Sequence, residues 1–169
     1  MIPPELETER LLLRQWRDED VEALAEVYGQ PEVLEHMPAL DLGGTRTQVE
    51  GFRRQWREEG IGLWAAEELA SGRFVGRFGL MRHRDWPLAE SPVEVGWCLH
   101  RDWWGRGLAT EGGRAGVECW RRNLDDPQLI SITLPANRRS RAVMERLGLT
   151  YRGTAFWRGY EQVWYALDR

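Results

Sequence analysis

Lysine is missing altogether: all 23 basic residues of this 169-residue chain are arginines. That excludes a lysine nucleophile and the phosphate loop that depends on Gly-Lys-Ser/Thr. Cysteine is nearly absent as well. Cys98 and Cys119 fall in an expected strand and an expected helix, show no metal-ligand spacing, and read as buried reduced thiols rather than a disulfide. His36, His83 and His100 are too scattered to share a metal, so none is expected, and each reads as a surface or turn histidine. No apolar run approaches the roughly 20 residues a membrane helix needs. MIPPELETER has neither the basic nor the apolar region of a signal peptide, so a soluble, cytoplasmic protein without membrane contact is expected. A formal charge of -4 argues against a general nucleic-acid binder.

What is present is globular composition, 42% hydrophobic and 30% charged. The length suits one domain, residues 1–169, with a substantial core. Its organising stretch is LHRDWWGRGLATE, from Leu99 to Glu111. β-formers from Val93 to Leu99 lead into a turn with Gly105 and Gly107, and a helix-compatible segment begins near Leu108. Glycines let a backbone approach a ligand, and the first amides of a helix lack partners and sit at its positive end. That arrangement suits a pyrophosphate, although the same order also serves simply to turn a corner. The three-glycine dinucleotide fingerprint does not fit, because Ala109 ends the series too early.

Trp104-Gly105-Arg106-Gly107-Leu108-Ala109 resembles the acyl-CoA loop of the GNAT superfamily of N-acetyltransferases, Gln/Arg-x-x-Gly-x-Gly/Ala, with Trp104 in place of Gln/Arg. With Ala109-Thr110-Glu111 following, it is similar to the branch that acetylates ribosomal-protein N-termini at alanine or serine, where an aromatic-Trp-Gly-x-Gly loop is common. The resemblance extends from about Glu9 to Leu167.

Periodicity predicts a strand over 10–16 and an acid-capped helix starting at Asp18-Glu19-Asp20 and broken by Gly29-Gln30-Pro31. A second helix is expected from an N-cap at Thr45, with Val49, Phe52 and Trp56 on one face. Residues 62–69 and 73–82 read as a hairpin about Ala70-Ser71-Gly72, and 93–99 as a third strand. A helix over 109–123 carries Gly112, Gly113, Ala115 and Gly116, small residues that permit close packing, as beside a cofactor. A strand at 129–134, a helix at 137–147 and a closing hairpin of 149–157 with 162–167 complete the chain. The order β α α β β β α β α β β is that of a GNAT domain. The expected fold class is therefore α/β (α+β), a central mixed β-sheet flanked by helices on both faces.

A second stretch, Asn137-Arg138-Arg139-Ser140-Arg141-Ala142-Val143-Met144-Glu145-Arg146-Leu147-Gly148-Leu149, resembles the family's Asn-x-x-Ser-x-x-Val-x-x-x-x-Gly-Phe helix, with Leu149 for the aromatic. On residue chemistry alone Asn137 is an N-cap, Ser140 a first-turn hydroxyl, and Ala142, Val143 and Leu147 a core face. The resemblance implies acetyl-CoA as cosubstrate. It assigns the backbone of Trp97, Cys98 and Leu99 to the acyl carbonyl and pantetheine, the amides of Gly105, Arg106, Gly107, Leu108, Ala109 and Thr110 to the pyrophosphate, and the Asn137 side chain to the pantetheine or phosphate arm.

Acetyl transfer to an amine needs a base, a polarised carbonyl and a proton for the departing thiolate. Glu94, between Val93 and Val95 in an interior strand, is the candidate base; the alternative is a sheet-face carboxylate paired with an arginine. Glu111 reads as a helix-start carboxylate. Where many family members carry a tyrosine acid, seven residues past the Asn, this chain has Met144. Ser140 is the replacement candidate, with water or Tyr151 as alternatives, and a thiol pKa of about 8.5 makes the acid dispensable. Trp103 and Trp104 belong to the core or an interface, or wall the acceptor channel. The implied activity is acetyl transfer from acetyl-CoA to a primary amine, a protein N-terminus or a small molecule bounded by the 32–44 loop. A catalytically weak acyl-CoA sensor is the alternative, a nucleotide-binding regulator ranks last, and a homodimer is an open expectation.

Overall fold

The computed structural model describes residues 1–90 and 92–169. In chain order its elements are β1 (Leu6–Glu7), β2 (Leu11–Arg14), α1 (Asp20–Tyr28), α2 (Pro31–Leu34), α3 (Leu42–Glu59), β3 (Leu63–Glu68), β4 (Phe74–Arg82) and β5 (Val93–Leu99). A one-turn 3-10 helix, Arg101–Trp103, leads to α4 (Leu108–Asn123), β6 (Gln128–Thr133), α5 (Arg138–Arg146), β7 (Thr150–Trp157) and β8 (Tyr160–Asp168). The strands form one sheet in the order β1-β2-β3-β4-β5-β6-β8-β7. Neighbours are antiparallel except β5 and β6, which run parallel across the α4 crossover.

Helix ends follow local chemistry. The amide of Gly29 turns back to Ala25 O at 3.0 Å and closes α1, and Pro31 opens the short α2 at a first-turn position whose missing N–H costs nothing. The N-cap of α3 is Asp41, not Thr45: the Asp41 carboxylate accepts from the Gly44 amide at 2.7 Å. Thr45 lies one turn inside, fully buried, its hydroxyl donating to Asp41 O at 2.8 Å. Gly43 and Gly44 weaken helix propensity and so conceal that first turn from a reading by periodicity.

Alternation on β4 sends Phe78 to one face and Arg77 to the other. On the Phe78 face α4 comes unusually close. A Cβ on Gly112 would collide with the Phe78 ring, one on Gly113 would lie 2.7 Å from Leu147 Cδ1, and one on Gly116 2.9 Å from Val95 Cγ2. The small residues of α4 therefore seat the helix on the sheet and on α5, where a cofactor neighbour had been expected. The opposite face is covered by α1 and α3, through Leu24, Val27, Tyr28, Val49 and Phe52, and by Trp16 from the segment before α1. Among the described residues no helix is long and apolar enough to cross a membrane.

Candidate active site

The site begins where two strands part. β5 pairs with β4 along its whole length, yet with β6 only at Val93↔Leu129 and Glu94↔Ile130. Beyond that point the Ser131 hydroxyl donates to Val95 O at 2.8 Å, a side-chain bond in place of the next ladder rung. Backbone groups of alternate strand residues share a side. Since Val95 O faces β6, Trp97 and Leu99 also turn their N–H and C=O groups into the fork. Cys98 does not: its carbonyl abuts Gly76 on β4, and its buried thiol lies on the α1–α3 face. Of the three backbone positions expected to hold the acyl carbonyl and pantetheine, two are thus presented to the fork and one is turned away.

The glycine loop leaves the open end of β5. Gly105 and Gly107 have φ of 75° and 81°, the left-handed region in which a side chain is strained, and Gly107 caps α4. The first helical bond runs from the Glu111 amide to Gly107 O at 3.0 Å, so the amides of Leu108, Ala109 and Thr110 have no intrahelical acceptor. Arg10 braces the loop by donating to Arg106 O at 2.8 Å. Glu111 ties it to β2, accepting from the Thr8 hydroxyl at 2.6 Å and from the Arg10 amide and Nε at 2.7 Å each. Burial pushes this carboxyl up, but the bonds from Thr8 and Arg10 outweigh it and hold the group below its ordinary value. Glu111 is a brace, as its position at the helix start implies.

Trp103 and Trp104 anchor the same loop. Their indole N–H groups donate to Phe74 O at 3.2 Å and Leu99 O at 2.9 Å. Arg139 at the start of α5 stacks 5.0 Å from the Trp104 ring, joining the two banks of the fork.

Glu94 sits at the apex of the fork. Its side chain is 10% exposed; Oε2 lies 2.6 Å from His83 Nε2 and Oε1 accepts from the Ile132 amide at 3.2 Å. Its partner is thus a histidine, where an arginine had been the structural alternative. His83 is itself buried, with its ring edge on Trp157 at a centroid distance of 4.8 Å, and is no surface histidine. The strand pattern contains the signal for this pair. His83 extends β4 by one residue, its amide bonding Pro92 O at 3.0 Å, which makes it a diagonal same-face neighbour of Glu94.

Across the fork, Asn137 Oδ1 accepts from the Ser140 amide at 3.1 Å, so Asn137 is an N-cap. Ser140 lines the cleft. Met144 is buried in the core with Val143 and Leu147, and Tyr151 lies exposed on β7, outside the cleft. A second residue missed in the sequence is Arg77, buried on the α1–α3 face and donating to Tyr28 Oη at 2.7 Å.

These groups share one cleft of about 1670 Å³. It runs from Arg10 and the glycine loop, past Glu94 and Ser140, to the 33–39 segment and the β7–β8 hairpin. That exceeds the usual 300–1,000 Å³ or so of a small-ligand pocket, and leaves space for an extended ligand and a second molecule.

Comparison with known proteins shows the family and the fold. YkkB of Bacillus subtilis, itself uncharacterised, is 28% identical over 151 residues, spanning 88% of this chain and 87% of its own. An acetyltransferase from Agrobacterium tumefaciens strain C58 superposes with a TM-score of 0.86 at 28% identity, covering 100% of this chain and 96% of that one. The ribosomal-protein alpha-N-acetyltransferase RimL, solved with coenzyme A, shares the fold at a TM-score of 0.75 and 17% identity over 99% and 97% of the two chains. Residues 10–150 match the acetyltransferase (GNAT) domain model, and the chain belongs to that family.

Proposed function

We propose that the chain, acting as a single domain over 1–169, transfers an acetyl group from acetyl-CoA to a primary amine that attacks the thioester directly. The observation that carries this reading is the fork: one cleft holds the part of β5 that β6 leaves unpaired, the first amides of α4 without intrahelical acceptors and the buried Glu94–His83 pair. The residues present suit acetyl-CoA. The amides from Gly105 to Thr110, at the positive end of a 16-residue helix, match a pyrophosphate. The backbone of Trp97 and the amide of Leu99 match amide and carbonyl groups of a pantetheine arm, while Leu99 O accepts from the Trp104 indole and Asn137 stands on the opposite bank.

When bound, acetyl-CoA supplies the activated acetyl group. Glu94 takes the proton of the incoming amine, directly or through water, while His83 and the Ile132 amide hold its carboxylate toward the cleft. Ser140 offers its hydroxyl to the departing thiolate. A protein N-terminus and a small-molecule amine both remain candidate acceptors. Met144, buried where a tyrosine acid stands in many relatives, favours the second reading of an acyl-CoA sensor with little turnover.

The test is titration with acetyl-CoA by tryptophan fluorescence, followed by thiol release with a panel of amines. Replacing Glu94 by Gln is expected to lower kcat by about 10²–10⁴-fold, the usual worth of a positioned base, while CoA affinity changes less than about twofold. Saturable binding without thiol release from any amine favours the sensor, and absence of binding ends both readings.

A further inference from the structure

Arg77 and Arg14 are the most deeply buried cations on the α1–α3 side, and they are treated differently. Arg14, 3% exposed, meets two carboxylates, Asp20 at 2.7 and 2.9 Å and Glu67 through Nε at 2.9 Å. Arg77, 8% exposed, has no carboxylate within ion-pair distance among the described residues. Its Nε is bound by Tyr28, and its guanidinium carbon lies 5.8 Å from the ring centres of Tyr28 and Phe52. Neither polar neighbour neutralises it. Burial pushes the Tyr28 phenol up to about 12 and the Cys98 thiol upward too, against the opposing pull of Arg77, so both are uncharged at neutral pH. The Glu94 carboxylate acts on it only through space, without a direct ion pair; a buried cation with no contacting carboxylate is costly, and this one lines the cleft.

Its position relative to Glu94 is set by register. Arg77 pairs with Cys98 and Met81 with Glu94, with the Gly79–Gly96 row between them. Residues 94, 96 and 98 share a face, so Arg77 and Glu94 stand on one side of the sheet, two rows apart along the strand. Gly96 leaves its floor open, since a Cβ there would meet only the Glu94 carboxyl, at 3.9 Å.

We propose that the acceptor amine carries a carboxylate remote from its nitrogen, which binds Arg77 while the nitrogen faces Glu94. The inference rests on the acetyl-transfer reading for the placing of the amine. One guanidinium among aromatic rings matches the single charge and planar shape of a carboxylate. An α-amino acid is too short, its carboxylate lying one carbon from its amine. An ω-amino carboxylate or a peptide N-terminus followed by an acidic side chain spans the two rows.

The test compares ε-aminocaproate with its primary amide, and Ser-Glu peptides with Ser-Gln peptides, by calorimetry in the presence of CoA and by thiol release. The wild type is expected to bind the carboxylate member about 10- to 100-fold tighter, the range of a charge-assisted bond, with the difference in KM rather than kcat. The amino-acid pair and the peptide pair separate the two sources. Arg77→Gln is expected to erase the preference. Equal binding of both members by the wild type overturns the inference without involving a variant, and a preference that survives in Arg77→Gln overturns it as well. Carboxylate-selective binding without turnover of any amine leaves this anion seat standing and removes the enzyme reading instead.

Discussion

The two faces of the sheet are built on opposite plans. Toward α4 the buried side chains are apolar, among them Leu11, Leu13, Phe78, Leu80, Val93 and Val95, and the helix approaches through glycines. On the other face the same sheet buries Arg14, Arg77, His83 and Glu94, with Asp20 of α1 against Arg14. Burial alone does not mark a functional group, and the contrast within the second face shows why. Arg14 is saturated by Asp20 and Glu67 and closes a structural joint between β2, α1 and β3. Glu94 and Arg77 keep acceptor or donor capacity that opens on the cleft. What separates structure from chemistry here is the unfilled valence of a buried charge.

That contrast breaks if the saturated joint proves dispensable. Asp20→Ala strips two bonds from Arg14 and a third from the Arg17 amide at 2.7 Å, leaving a buried cation under-compensated. A loss of about 3–5 kcal/mol is expected, measured by chemical denaturation, and a loss below about 1 kcal/mol contradicts the structural assignment. On the apolar face, Gly112→Ala drives a methyl into the buried Phe78 ring. Overpacking of this kind costs about 1–3 kcal/mol, and at this chain length melting falls by about 2–4 °C per kcal/mol. The smallest effect belongs to the exposed rim. Glu111→Gln is expected to cost about 1 kcal/mol, because Arg10 is partly solvated. The Glu111 carboxyl is held below its ordinary value of 4.5, so its contribution is complete above that pH and is lost as pH falls through the depressed value. Melting curves of wild type and variant are therefore expected to converge on acidification below pH 4.5.

The glycine loop and the Asn137 cap were legible because a left-handed turn and a helix start each demand particular residue types at fixed offsets. Most of the element order was legible as well, but the two-residue β1 and the one-turn α2 were not. His83 and Arg77 were not, since their meaning comes from partners 11 and 49 positions away. A lone histidine after a strand reads as a turn residue until hairpin register sets it beside Glu94. Arg77 reads as an ordinary strand arginine until α1 and α3 bury it. The orientation of Cys98 was likewise hidden, because it depends on which side of β5 carries the bonds to β4.

The fork has a thermodynamic consequence. Strands β1–β5 and β6–β8 are joined through just two rungs of parallel ladder, supplemented by the side-chain bonds of Ser131 and Glu94. A ligand seated between Trp97 or Leu99 and the α5 bank occupies the place of the missing rungs and spans both halves of the sheet. Occupancy then becomes a component of folding stability, adding about 2.7 kcal/mol when the free ligand stands at 100 times its Kd. The endurance of this protein would rise and fall with the supply of that ligand.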